Sequence, residues 1–246
     1  MTTLTIATYN IHKGFSHFNR RMVLHELRER LRGLDADIVF LQEVQGQNIG
    51  HAKRHDNYPV LPQHEFLAEK IWPHHVYGKN AVYDDGHHGN AILSRYPIVR
   101  WDNQDVSAHR FESRGILHCE IALPGISQPF HCICVHFGLF KDGRRQQFNA
   151  LVERIKRMVP ERAPLIIAGD FNDWNNHASS FLAHELQVHE VFDTRHGKLA
   201  RSYPVGLPFL CMDRIYIRGL VVTQSDVCAW KKISDHAALS ATLMLP

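Results

Sequence analysis

Apolar and polar positions change their period several times along the chain, and each change marks a predicted element. Residues Leu4 to Asn10 alternate, with Leu4, Ile6 and Thr8 against Thr5, Ala7 and Tyr9, which predicts a first strand. Between Arg20 and Arg32 the period becomes helical, through Val23, Leu24, Leu27 and Leu31. Asp37 to Val44 is a nearly unbroken apolar run with a polar end, as in a buried strand that reaches the margin of a sheet. Gly46 to Pro62 reads as loop, and Glu65 to Trp72 as a short helix.

Gly89 to Leu93, Ile98 to Val106, Arg114 to Leu123 and Pro129 to Phe137 then read as successive strands, punctuated by Pro97, Pro124-Gly125 and Pro129. Gly143 to Val159 carries the clearest helical stripe, Phe148, Leu151, Val152, Ile155 and Val159. Pro164 to Gly169 is another buried strand, and Phe181 to Leu186 a short helix. Strands return at Arg214 to Ile217, Val227 to Trp230 and Ala237 to Leu243. About ten strands are more than one flat sheet holds comfortably, so two face-to-face sheets with helices outside are expected. No repeat or linker interrupts the pattern, and a single domain over residues 1–246 is expected.

Composition changes this picture little. Hydrophobic residues make up 44% and charged residues 22%, ordinary for a globular chain. A net charge of +3 permits an anionic partner without identifying one. The five cysteines have no metal-ligand spacing, and Cys119, Cys132 and Cys134 sit in apolar runs, so they read as core residues in a reducing compartment. No basic leader and no apolar stretch of roughly 18 residues is present, so a cytoplasmic location without a transmembrane segment is expected.

Candidate chemistry collects where apolar strands end. Asn10 follows Ile6-Ala7-Thr8-Tyr9, Glu43 follows Val39-Phe40-Leu41-Gln42, and His136 follows Ile133-Cys134-Val135. Asp170 and Asn172 follow Ile166-Ile167-Ala168-Gly169, and Asp235-His236 precede the last strand. Strand ends are where a rigid scaffold presents side chains to a ligand. Hard divalent cations prefer the oxygen donors that Glu43, Asp235 and Asn10 offer. Each residue alone has a plainer reading as a cap or an Asx turn. Asp213 has one as an ion-pair partner of Arg214, and the Lys141, Arg144, Arg145 group as a solvated helix start.

Thr8-Tyr9-Asn10-Ile11, Leu41-Gln42-Glu43-Val44, Gly89-Asn90-Ala91-Ile92-Leu93-Ser94-Arg95, Val135-His136, Gly169-Asp170-Phe171-Asn172, Asp213-Arg214-Ile215 and Ser234-Asp235-His236 follow one another in order. Taken together they resemble the endonuclease/exonuclease/phosphatase superfamily, the group containing DNase I and the neutral sphingomyelinases. The resemblance spans nearly the whole chain. It implies a four-layer α/β sandwich, two packed β-sheets flanked by helices, and Mg²⁺- or Mn²⁺-dependent hydrolysis of phosphodiesters. It assigns Glu43 to the metal, with Asn10 and Asp235 supporting. It makes His236 the general base, oriented by Asp213, and sets Asp170, Asn172 and His136 against the phosphate. Arg114 and Asn90 are expected to shape the substrate site. A partner for His136 is left open among Asp84, Asp85, His87 and His88.

The expected substrate is DNA or RNA. Phospholipid headgroup cleavage is the alternative, kept by the apolar segment Tyr203 to Leu210, which otherwise reads as a core-packed loop. A non-catalytic binding module on the same fold is the third reading, and no obligate protein partner is implied.

Overall fold

The computed structural model describes residues 3–16 and 21–245. In chain order the strands are β1 (Thr3–Asn10), β2 (Ile38–Asn48), β3 (His74–Tyr83), β4 (Gly86–Ser94), β5 (Ile98–Asp105) and β6 (Gly115–Ile121). They continue with β7 (Phe130–His136), β8 (Leu165–Asp170), β9 (His189–Glu190), β10 (Asp213–Arg218), β11 (Val221–Cys228) and β12 (Ala238–Met244). The helices are α1 (Leu24–Gly33), α2 (Ile49–Arg54), α3 (Gln63–Ala68), α4 (Lys141–Met158), α5 (His177–Leu186) and α6 (Val191–His196). The strands form two six-stranded sheets, ordered β11-β12-β1-β2-β4-β3 and β5-β6-β7-β8-β10-β9. Each has a parallel pair at its centre, β1 with β2 and β7 with β8, among antiparallel neighbours.

Strand alternation sorts the side chains into layers. Ile6, Phe40 and Ile92 from the first sheet meet Cys134, Ile166 and Ile215 from the second in the space between the sheets. One position out of phase, Ala7, Tyr9, Val39 and Leu41 face Leu24, Leu27 and Leu31 of α1 and Phe66 of α3. On the other outer face Ile133, Val135 and Ile167 pack on Phe148, Leu151 and Ile155 of α4 and Leu182 of α5. The result is the expected four-layer α/β sandwich. Burying each such side chain contributes about 1.5–3 kcal/mol, so these three layers of contact are the main drive to fold. Cys119, Cys132 and Cys134 are buried free thiols within the inter-sheet core. Among the described residues no helix is long and apolar enough to cross a membrane.

Several sequence expectations need correction. The Gly46 to Pro62 loop is part strand and part helix. β2 runs on to Asn48, whose side chain accepts from the His51 N–H at 2.8 Å and so caps α2. His51 and His55 lie on α2 and at its end, their rings against Phe15, rather than in solvated loop. The helix expected from Arg20 begins at Leu24, and Arg20 itself lies outside the described residues. β3 went unread because as an edge strand it is half exposed and lacks a clean apolar alternation. Tyr203 to Leu210 is not core-packed: it folds back through a Tyr203–Leu210 bridge and leaves Leu207 and Phe209 exposed.

The parallel pair β7–β8 depends on Gly169. Its φ is 148°, and a methyl group there would lie 2.0 Å from the Val135 carbonyl oxygen. Only glycine lets the two backbones approach so closely. Gly169→Ala is therefore expected to lower stability by about 2 kcal/mol or more in urea unfolding. An unchanged unfolding midpoint would contradict this account.

Candidate active site

Register places the polar cluster. His136 of β7 pairs with Asp170 of β8, and Asp170 pairs with Asp213 of β10, so the three form a row across adjacent strands. They share the phase of Cys134, Ala168 and Ile215, which face the other sheet. The row is thus the first polar layer beyond the end of the inter-sheet core. Asn10 ends β1 in the phase of Ile6 and faces the row from the opposite sheet.

Asp170 is the hub. Its Oδ2 accepts from Asn10 Nδ2 at 3.1 Å and lies 3.6 Å from His136 Nε2 and 3.8 Å from His236 Nε2. Its Oδ1 accepts from the Asn172 N–H at 3.0 Å. Asn172, at φ 48°, donates its side-chain amide to the Phe137 carbonyl at 2.9 Å, tying together the loops that follow β7 and β8. The carboxylate nearest His136 is therefore Asp170, not Asp84 or Asp85.

His236 Nδ1 is 2.8 Å from Asp213 Oδ2, a hydrogen bond that again joins the two sheets. Asp213 is fully buried. Alternation separates it from Arg214, which points to the outer face and donates to Asn176 Oδ1 at 2.7 Å. Ser234 braces the histidine: its hydroxyl donates to the Asn10 carbonyl at 2.8 Å and accepts from the His236 N–H at 3.2 Å. The Tyr203 ring stands 4.9 Å from the imidazole, centroid to centroid.

Glu43 reaches the cleft through a break in alternation. Phe40 faces inward and Leu41 outward, so strict alternation would send Glu43 outward. Between Leu41 and Val44 the pairing with β4 slips, with Leu41 opposite Ala91 and Val44 opposite Gly89. Glu43 takes φ 55° at this bulge, and its side chain turns into the cleft. No hydrogen bond or ion pair holds its carboxylate among the described residues.

The cleft, of about 180 Å³, is lined by Asn10, Glu43, Arg114, His136, Asp170, Asn172, Asp235 and His236, together with Leu139, Trp174, Tyr203 and Met212. Two expected site residues stand behind it. Asp213 sits under His236. Asn90 donates to the Gly115 carbonyl at 3.1 Å, which turns it to the inter-sheet junction and away from a substrate wall. Sequence reading passed over Tyr203, Ser234 and His12, whose Nδ1 lies 3.4 Å from Asp235 Oδ1. Only Ser234 carried a signal, being next to Asp235-His236.

The electrostatics separate the two histidines. Burial pushes His136 well below the usual histidine range, and Arg114, His236, His88 and Lys13 push it further, so it stays neutral. Burial also acts to lower His236, but Asp213, Asp170 and Asp235 outweigh it and lift the imidazole to about 10. Burial raises the Asp170 carboxyl to about 7; Asp213 adds to the rise, while His236, the Asn172 N–H and the Asn10 amide oppose it. The His236 and Asp170 shifts are therefore linked, each group's charge acting on the other's proton affinity.

Residues 7–236 match the Endonuclease/Exonuclease/phosphatase family. The chain belongs to this family. It is similar to YbhP of Escherichia coli (strain K12), 44% identical over 243 residues that cover 98% of this chain and 96% of that protein. The mannosyl-6-phosphatase Bt3783 of Bacteroides thetaiotaomicron shares the fold with a TM-score of 0.76 at 16% identity, over 98% of this chain and 100% of that one. So does D. rerio TDP2 complexed with single strand DNA product, with a TM-score of 0.73 at 17% identity, over 99% and 100%. Members of the endonuclease/exonuclease/phosphatase family are phosphoesterase hydrolases that usually use a divalent metal, and the cleft suits such an ion. Atoms of Asp170, Asp213 and His236 lie within 4.8 Å of one another, but the Asp213 oxygen is already bound to His236 Nδ1. Among the described residues Glu43 offers an uncommitted hard-oxygen donor at the cleft wall, half-buried, with Asn10 and Asp235 lining the same space.

The Asp213–His236 contact sets a testable pH signature. The Asp213 carboxylate raises the His236 pKa, so Asp213→Asn lowers it, and the acid limb of kcat/KM on bis(4-nitrophenyl) phosphate is expected to move to lower pH. The plateau should fall by about 10²-fold or more as the imidazole loses its orientation. In a His236→Ala background the same change should cost little further activity. Additive losses with an unmoved acid limb would leave Asp213 a purely structural residue.

Proposed function

We propose that this chain is a divalent-metal-dependent phosphodiesterase acting on polynucleotides, with His236 as the base that activates water. The observation carrying this reading is the buried Asp213–His236 pair at a cleft that also holds the Glu43 carboxylate, unpaired among the described residues. With Nδ1 committed to Asp213, the neutral form of the imidazole, which grows as pH rises, presents Nε2 to a water and takes its proton as the water's oxygen attacks phosphorus. Asp213 stabilises the imidazolium that forms. Neutral His136 donates an N–H to a phosphoryl or leaving oxygen. Asn172 and Asn10 hold the Asp170 carboxyl in place. Glu43, Asp235 and Asn10 would hold Mg²⁺ or Mn²⁺, which when bound neutralises charge on the phosphoryl oxygens and lowers the proton affinity of nearby groups.

The shape beyond the cleft favours an extended substrate. Arg114 and Leu139 are shared with a second cavity of about 270 Å³, lined also by His88, His109, Phe111 and Phe140. Arg114 Nε and His88 Nδ1 are buried there without a hydrogen-bond partner among the described residues. Phe111 and Phe140 are 81% and 69% exposed. Cationic and polar donors beside open aromatic faces suit a strand whose phosphates and bases need both. The fold neighbour D. rerio TDP2, complexed with single strand DNA product, accords with that reading. A second reading, cleavage of a phospholipid headgroup, draws on the exposed Leu207 and Phe209, which sit on the turn that carries Tyr203 at the cleft.

Two outcomes follow. The purified chain with Mg²⁺ or Mn²⁺ is expected to degrade single-stranded DNA, RNA or plasmid, and His236→Ala or excess EDTA to abolish this. Release of headgroups from phosphatidylcholine vesicles with all nucleic acids intact would transfer the proposal to lipids, and preferential turnover of mannose 6-phosphate would transfer it to monoesters. Glu43→Gln is expected to weaken Mn²⁺ binding by roughly tenfold or more in calorimetry, in line with loss of a charged ligand. Its melting temperature should be kept. Parental Mn²⁺ affinity in that variant would remove Glu43 from the metal site.

A further inference from the structure

A cavity of about 280 Å³ opens between α4 and α5, and none of its lining residues lines the cleft. One part of its wall is aromatic: Phe148 and Phe181 stack at 6.5 Å and 28°. Another part is cationic: Lys141, Arg144 and Arg145 all line it. Lys141 and Arg145 are exposed, but Arg144 is only 5% exposed. Arg144 Nη1 donates to the Gly138 and Leu139 carbonyls at 3.2 and 2.8 Å. Its Nε and Nη2 have no acceptor among the described residues. The one acid in the wall, Asp173, is itself buried and accepts from the Ala178 N–H in the first turn of α5 at 2.7 Å. A guanidinium anchored by backbone carbonyls, its remaining donors open to the cavity beside an apolar surface and two further cations, suits an anionic group with an apolar body.

We propose that this cavity binds a small amphipathic anion, a flat apolar ring system bearing one carboxylate, sulfonate or phosphate, and that occupancy stiffens the two loops behind the cleft. The anionic group meets Arg144, with Arg145 and Lys141 at the rim, while the ring system lies against Phe148 and Phe181. Both loops touch the cavity wall. Phe148 packs edge-on against Phe137 at 5.1 Å and lies 6.3 Å from Phe171. The Phe137 carbonyl takes the Asn172 amide, and the Phe137 N–H donates to the Asp170 carbonyl. Arg144 holds the carbonyl of Leu139, a residue of the cleft wall.

The test uses 8-anilinonaphthalene-1-sulfonate on the native full-length chain, read by calorimetry and fluorescence, so it does not depend on the hydrolytic reading. One saturable equivalent is expected. Neutral N-phenyl-1-naphthylamine should bind roughly tenfold more weakly, because it lacks the group that meets Arg144. Arg145→Glu, which reverses a rim charge, and Asn149→Trp, which fills the cavity from an exposed position, should each weaken the sulfonate by a similar factor. Saturation should slow hydrogen exchange in residues 137–144 and 171–176. Absent binding, several equivalents unaffected by both variants, or equal affinity for the neutral analogue overturns the site. Binding without slowed exchange in those segments overturns the coupling.

Discussion

Two apolar sheets packed face to face have no intrinsic reason to carry a precise polar constellation at one end. Here the constraint is the hydrogen bonding that crosses between them, Asn10 to Asp170 and His236 to Asp213. Each bond takes one partner from the second sheet and the other from β1 or from the segment that leads into β12 of the first, so the setting of the sheets and the geometry of the site are closely tied. The inter-sheet core supplies the free energy of association, and the cross-sheet bonds select one register of it. A shift of either sheet by one residue pair would take His236 from Asp213 and Asn10 from Asp170, leaving Asp170 the Asn172 N–H alone, at a cost on the order of several kcal/mol.

This arrangement also accounts for the divergent charge states in so small a volume. Asp170, Asp213, His136 and His236 crowd into one buried space, where burial and neighbouring charges set the protonation of the two imidazoles and of Asp170. The cluster resolves this by keeping His136 neutral and concentrating positive charge on His236, where Asp213 is closest. Asp170, between them, is left with a carboxyl whose proton affinity lies near neutrality. Packing and electrostatics meet in that residue: the row position that makes it a structural hub also makes it responsive to its neighbours' protons.

Much of the fold was legible because alternation and helical stripes are local. The strands from Leu4, Asp37, Gly89 and Pro164 and the α4 stripe all emerged from period alone. The α2 segment and β3 did not, since one is a short capped turn of helix and the other a half-exposed edge strand. For the site, strand-end positions drew attention to Asn10, His136, Asp170 and His236, and the same alternation that predicts the core also aims them between the sheets. Glu43 was marked by its strand-end position and by motif resemblance, yet how it reaches the cleft was hidden, because a bulge reverses the facing that alternation predicts. Tyr203 was invisible, since it arrives from an irregular segment through tertiary contact. Asn90 was misplaced for a related reason: its neighbourhood in sequence looks like site, but its amide is engaged across the sheets.

The bulge at Glu43 has a meaning for the history of the chain. A left-handed backbone suits glycine or asparagine best, and a glutamate there is tolerated rather than favoured. Selection for stability alone would drift this position away from a carboxylate, and the extra residue in β2 would persist because Val44 and the strand beyond it depend on the re-phasing. Loss of function and loss of fold are therefore separable here. With the metal role proposed for Glu43, a descendant freed from that chemistry could keep the bulge, exchange the acid for a smaller residue and emerge more stable, so residue 43 across natural variants would record which lineages still need the cleft.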